Sequence, residues 1–127
     1  INFDEVHSVF TKLGFELTHE TVKVGEFTYP KSGKPLYVRK ESGLPQCVRL
    51  VFHPDTEFDV FDQVQGILCS PRGAFLHSSN LRHFPKRLNN GKGEIHYGRQ
   101  VEVSSLTALA ALLQAVSITP SRRNSAA

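Results

Sequence analysis

Hydrophobic positions along this chain change period several times, and each change marks an element. Phe3, Val6, Phe10 and Leu13 recur at three- and four-residue intervals behind Asn2, a good helix N-cap, and Gly14 follows as a stop. That spacing predicts an amphipathic first helix. The period then drops to two: Phe15 and Leu17 alternate with Glu16 and Thr18, and Val22, Val24 and Phe27 mark a second extended segment. Tyr29 to Pro35, with two Pro and one Gly, reads as a turn. Two more strands follow, Leu36–Lys40 and Cys47–Phe52, joined by the loop ESGLPQ. The second of these is rich in β-branched and aromatic residues and belongs near the centre of a sheet.

Beyond Phe52 the pattern weakens. EFDVFD, Glu57 to Asp62, fits either an edge strand or the start of a short helix. Residues 70–98 read as mostly irregular, which is long for a loop in a compact domain, and one short strand is expected within EIHYGRQVEV, Glu94 to Val103. Leu106, Leu109, Ala110, Leu113 and Val116 form the apolar stripe of a last helix, which Ser104 or Ser105 can cap. The stretch from 117 to 127 is polar, contains Pro120, and is expected to be a disordered tail. Helix, strands, loop, helix in that order predicts one α+β domain over residues 1–116. Its expected form is an antiparallel sheet with the N- and C-terminal helices packed on it in two layers.

The bulk composition agrees with one folded core. At 127 residues, 39% hydrophobic and 21% charged, the chain is large enough for a single core and far from the composition of disordered chains. The net charge of +3 is unevenly placed. Asp55, Glu57, Asp59 and Asp62 stand together without a base among them, whereas Arg72, Arg82, Lys86, Arg87, Lys92 and Arg99 face only Glu94. No run reaches the roughly 18 apolar residues of a membrane span, and the opening residues lack the apolar block of a signal peptide. With two Cys and nothing to demand a disulfide, a reducing, cytoplasmic setting is the default expectation. A chain that opens on Ile1 rather than Met fits a piece trimmed from a longer one.

The densest chemistry lies in NLRHFPKRLNNGKGEIHYG, Asn80 to Gly98. Arg82, His83, Lys86, Arg87 and Lys92 can surround phosphates, and the glycine-flanked amides of NNGKG can form an anion-binding nest. The same Asn-Gly pair is also a strong turn signal, and a solvated basic turn would look alike. Base stacking would need exposed aromatics beside that charge; Phe75, Phe84 and Tyr97 are the local ones, in a chain where most of the nine Phe must pack the core. Cys69, His77, His83 and His96 are metal-ligand types but lack metal-ligand spacing. His53, at a strand end before Pro54, is expected to bond a nearby carbonyl or face solvent. Cys69, beside Arg72, has the charge environment of a thiolate but no orienting acid, and no nucleotide, hydrolase or kinase motif is present. No catalytic residue, metal ligand or cofactor is therefore expected.

Two stretches carry a resemblance: LYVRKESGLPQCVRLVFHP, Leu36 to Pro54, and HFPKRLNNGKGEIHYGRQVEVSSLTALAALL, His83 to Leu113. Together with the LGF that ends the first helix, they resemble the small uncharacterised bacterial YgaC family. The matching positions are Tyr37, Val38, Arg39 and Glu41, then His53 and Pro54, then Phe84, Pro85, His96, Tyr97 and Gly98. The resemblance implies the fold of the N-terminal domain of the competence regulator TfoX, shared with secretion chaperones, and implies no activity. The insert FDVFDQVQGILCSPRGAFLHSSN and the basic PKRLNNGK depart from the family's pattern.

The leading functional expectation is a non-catalytic binding module. It would recognise a polyanion, nucleic acid first, in a regulatory role through the basic loop 82–99. Arg82, Lys86, Arg87, Lys92 and Arg99 would make phosphate contacts, with Asn89, Asn90 and His96 as polar readers. The alternative is a protein-interaction or chaperone-like dimeric module without nucleic-acid binding, and an enzyme of unknown type comes third.

Overall fold

The computed structural model describes residues 2–40, 47–56, 67–69, 75–88 and 93–118, with the backbone alone for 67–69 and 117–118. Its first element is α1, Phe3–Lys12. Asn2 and Glu5 form a reciprocal cap: the Asn2 side chain accepts the Glu5 amide at 2.9 Å, and the Glu5 carboxylate accepts the Asn2 amide at 3.0 Å. Gly14, at φ +91, then turns the chain out of the helix, a backbone shape that costs glycine least.

The strands are β1 (Glu16–Glu20), β2 (Val24–Tyr29), β3 (Lys34–Arg39), β4 (Val48–Phe52), β5 (Ile67–Cys69), β6 (Leu76–His77), β7 (Lys86–Leu88) and β8 (Glu94–Val103). Among the described residues they form one antiparallel sheet, ordered β1-β2-β3-β4-β8-β5, with β6 and β7 also paired to β8. β4 lies inside the sheet between β3 and β8, as its apolar sequence requires. The closing helix α2, Leu106–Ile118, is capped by Ser105, whose hydroxyl accepts the Ala108 amide at 3.0 Å. The expected tail beyond that helix, the loop ESGLPQ and the acidic EFDVFD stretch lie outside the described residues.

The two faces of the sheet are filled differently. On one, Phe27, Leu36, Val38, Val48, Leu50, Phe52, Val101 and Val103 pack against Val6 and Phe10 of α1 and Ala108, Leu109, Leu112 and Leu113 of α2. Phe10 stacks on Phe27 with ring centroids 4.0 Å apart. This is the two-layer α+β arrangement. On the other face, Val24, Tyr37 and Val51 are roofed by Leu81 and Phe84 from the turns between β6 and β7. Burying each of those two side chains contributes roughly 1.5–3 kcal/mol.

β8 corrects the expectation of one short strand in this region: it spans ten residues and is the longest strand described. Its length follows from its partners, since it pairs with β4 along 99–103, β5 along 101–103, β6 at 97–98 and β7 along 94–96. Gly98 permits this crowding. A Cβ there would sit 2.7 Å from the Phe52 carbonyl oxygen and 2.6 Å from Val51 Cγ1.

Candidate functional site

Strand alternation divides the expected phosphate-binding residues. Arg87 pairs with Ile95 across β7 and β8, on the face that carries Tyr97, Arg99 and Val101, whereas Lys86 pairs with His96 on the opposite face. Arg82 lies on that second face too, bonded to Glu26 of β2. Asn89, Asn90 and Lys92 lie outside the described residues. His96 is tied to the fold: a carbonyl only accepts, so its Nδ1–H donates to the Phe84 carbonyl at 2.6 Å, which sets the tautomer. Among the weaker candidates, His53 is exposed and its Nδ1 accepts the Asp55 amide at 3.1 Å.

What the fold does assemble on the first face is a stack of cations and rings. The Arg87 guanidinium sits 4.4 Å from the Phe75 ring centre and 4.5 Å from that of Tyr97, and Arg99 lies 4.8 Å from the same Phe75 ring. Tyr97 meets Phe75 edge-on at 5.3 Å and stacks with His77 at 5.8 Å. Arg87 Nε donates to His77 Nε2 at 3.1 Å, so the imidazole accepts there. Each ring face offers negative quadrupole charge to a guanidinium, which favours the approach of two cations to one Phe. Among the described residues Arg87 makes no ion pair. All five side chains are half-buried, which holds the guanidinium fork in place. Phe84, the third expected stacking ring, is instead core.

The second face holds a network that sequence reasoning missed. Glu26 is 1% exposed and takes four hydrogen bonds: Arg82 Nε and Nη2 at 3.0 Å each, the Tyr37 hydroxyl at 2.8 Å and the Thr18 hydroxyl at 2.7 Å. Because Thr18 gives its proton to the carboxylate, the Thr28 hydroxyl donates to Thr18 at 2.9 Å. The irregular pairing between Leu17 and His19 is what brings Thr18 there, as a bulge re-aims a side chain. Tyr37 in turn accepts the His83 amide at 3.1 Å.

Burial alone would push the Glu26 carboxyl up, but the bonds from Arg82, Thr18 and Tyr37, with the charge of Arg82, hold it down at about 2. Burial, with the adjacent carboxylate, pushes the Tyr37 hydroxyl well above its ordinary value against opposing contributions from the His83 amide and Arg82. A shallow cleft of about 400 Å³ opens over this network between Thr28, Pro35 and His83. An ionised, fully bonded carboxylate is a poor proton acceptor, and a tyrosine hydroxyl pushed above its ordinary value is a poor nucleophile, so the arrangement is a clasp rather than an acid–base pair. The sequence carried half a signal for it. Glu26 shares a strand face with Val24, so an inward acid needs a cation, but Arg82 is 56 residues away.

Among the described residues no group of three His, Cys, Asp or Glu is placed to hold a metal ion, and no helix is long and apolar enough to cross a membrane. Comparison with curated proteins finds no match. One family model does match, over residues 1–117, and it spans both helices, the whole sheet and both side-chain clusters. The chain belongs to that family, described as a protein of unknown function, DUF2002.

Proposed function

We propose that this chain is a non-catalytic module that binds a polyanion, nucleic acid first, in a regulatory role. The observation that carries the reading is the Arg87 guanidinium poised over Phe75 and Tyr97, with Arg99 on the same Phe75 ring. Stacking fixes the plane of a guanidinium and leaves its in-plane N–H groups to donate, which is the geometry of bidentate phosphate recognition. Arg87 spends Nε on His77, and its terminal nitrogens are the donors that would meet phosphate oxygens. The half-buried rings lower the local dielectric and strengthen that contact.

The expected phosphate-binding set contracts accordingly. Arg87 and Arg99 form its centre, while Arg82 is occupied by Glu26 and Lys86 and His96 sit on the other face. The experiment is fluorescence anisotropy of labelled single- and double-stranded DNA and RNA over a salt series. Binding that weakens linearly in log–log salt, with a slope near 0.7–0.9 per phosphate contact, supports the reading. Absence of binding at low salt ends it. Dimerisation that ignores salt would favour the protein-interaction alternative.

A further inference from the structure

We infer that Arg39 and Arg49, side by side on β3 and β4, form a second anion site, for a single oxyanion of the phosphate class, on the face opposite the Arg87 stack. The two residues are register partners. Directly opposed residues on antiparallel strands have their Cβ atoms about 4.5–5.5 Å apart, and two like charges there repel. The row across the sheet at this level runs Val24, Arg39, Arg49, Glu102. It therefore holds two cations and one carboxylate.

That carboxylate does not satisfy the pair. Glu102 Oε1 stands 3.6 Å from Arg49 Nε, an ion-pair distance but too long for a hydrogen bond, and Arg49 Nε is buried with no hydrogen-bond partner. Arg39 spends Nη1 on the Gln100 amide oxygen at 2.7 Å. Of the ten N–H groups of the two guanidiniums, one from Arg39 meets Gln100, and that of Arg49 Nε is a buried donor without an acceptor. A buried unpaired donor is destabilising, so such groups usually have a ligand, ion or water to meet. The Arg49 side chain is 22% exposed, so part of it is reachable from solvent although its Nε is buried. The neighbouring row, Tyr37 and Val51, is roofed by Leu81 and Phe84, which gives the pair an apolar wall on that side. An oxyanion with three or four acceptor oxygens would bridge both forks and cancel their repulsion. A planar carboxylate would serve only one.

The test is titration of the full chain with inorganic phosphate at constant ionic strength, read on the arginine Nε–H resonances. Saturable one-to-one shifts of Arg39 and Arg49 are expected. Arg39→Gln and Arg49→Gln should each weaken phosphate binding at least about tenfold, and both should fold, because each removes a like-charge contact. Glu102→Gln should tighten it about threefold, the effect of losing one partly exposed like-charge neighbour. Lys34→Gln, at an exposed position near the start of β3, should leave it unchanged. A single-stranded oligonucleotide run in parallel separates a free oxyanion from backbone phosphates. If Arg49→Gln weakens the oligonucleotide alone while inorganic phosphate fails to saturate, the inference fails. It also fails if phosphate binding survives both arginine substitutions or weakens in Glu102→Gln.

Discussion

Glu26 on β2 and Arg82, in the segment between β6 and β7, are joined by two parallel hydrogen bonds of 3.0 Å, Nε to Oε1 and Nη2 to Oε2. The pair clasps the Leu81–Phe84 roof to the sheet, and the chain leaves that roof directly into β7, where Arg87 lies. Fold and candidate site are connected through this clasp. A buried ion pair contributes modestly relative to an apolar replacement, but breaking one side strands the other charge.

Acid should therefore loosen the protein through Glu26. Its folded value of about 2 is below the ordinary glutamate value of 4.5, so the unfolded chain binds the proton more readily and stability rises with pH across that interval. The contribution, about 3 kcal/mol, is complete above pH ~4.5 and is lost as pH falls toward 2. Urea unfolding at pH 3, 4, 5 and 6 checks this. Arg82→Gln should move the loss to higher pH, because the carboxyl no longer has its strongest partner.

Glu26→Ala should destabilise by about 2–3 kcal/mol, since the Tyr37 and Thr18 hydroxyls lose their carboxylate acceptor while the half-exposed Arg82 is left to water. Tyr37→Phe should cost less, about 1–2 kcal/mol, for the bonds to Glu26 and from the His83 amide. Hydrogen exchange provides the local check: the His83 amide should exchange faster in Tyr37→Phe while α1 amides keep their protection.

Gly98→Ala should destabilise by about 2 kcal/mol or more, because the new Cβ meets the Phe52 carbonyl at 2.7 Å and Phe84 at 2.9 Å. Backbone cannot yield as a side-chain tip does. Thermal unfolding of this variant beside Gly33→Ala separates crowding from conformation, since nothing lies within 4 Å of a Cβ at Gly33 and only its φ of +70 opposes the change, at about 1 kcal/mol.

Much of the framework was legible because it is local. Asn2 with Glu5, Gly14 and Ser105 mark helix ends by chemistry that acts within three or four residues, and the apolar run Val48–Phe52 marks a central strand by burial on both faces. β8 was underestimated because Gly98 and Arg99 interrupt its apolar alternation; the glycine is there for a close approach of Phe52 that sequence cannot show. The basic cluster was legible as composition but not as a surface. Lys86 and Arg87 are neighbours in sequence and lie on opposite faces of the strand, and Arg82 answers to an acid 56 residues away. Long-range pairings of that kind leave no periodic trace.

Binding of labelled single-stranded DNA across a salt series, compared for Arg87→Lys, Arg87→Ala and the parent, tests directly whether the stacked Arg87 guanidinium grips phosphate. Arg87→Ala should weaken binding about tenfold and lower the log–log salt slope by about 0.7. Arg87→Lys should keep the slope, because the charge stays, and still lose severalfold in affinity, because an ammonium has neither the stacking plane nor the fork. Equal affinity and slope for parent and Arg87→Ala would mean that the Arg87 stack does not bind nucleic acid.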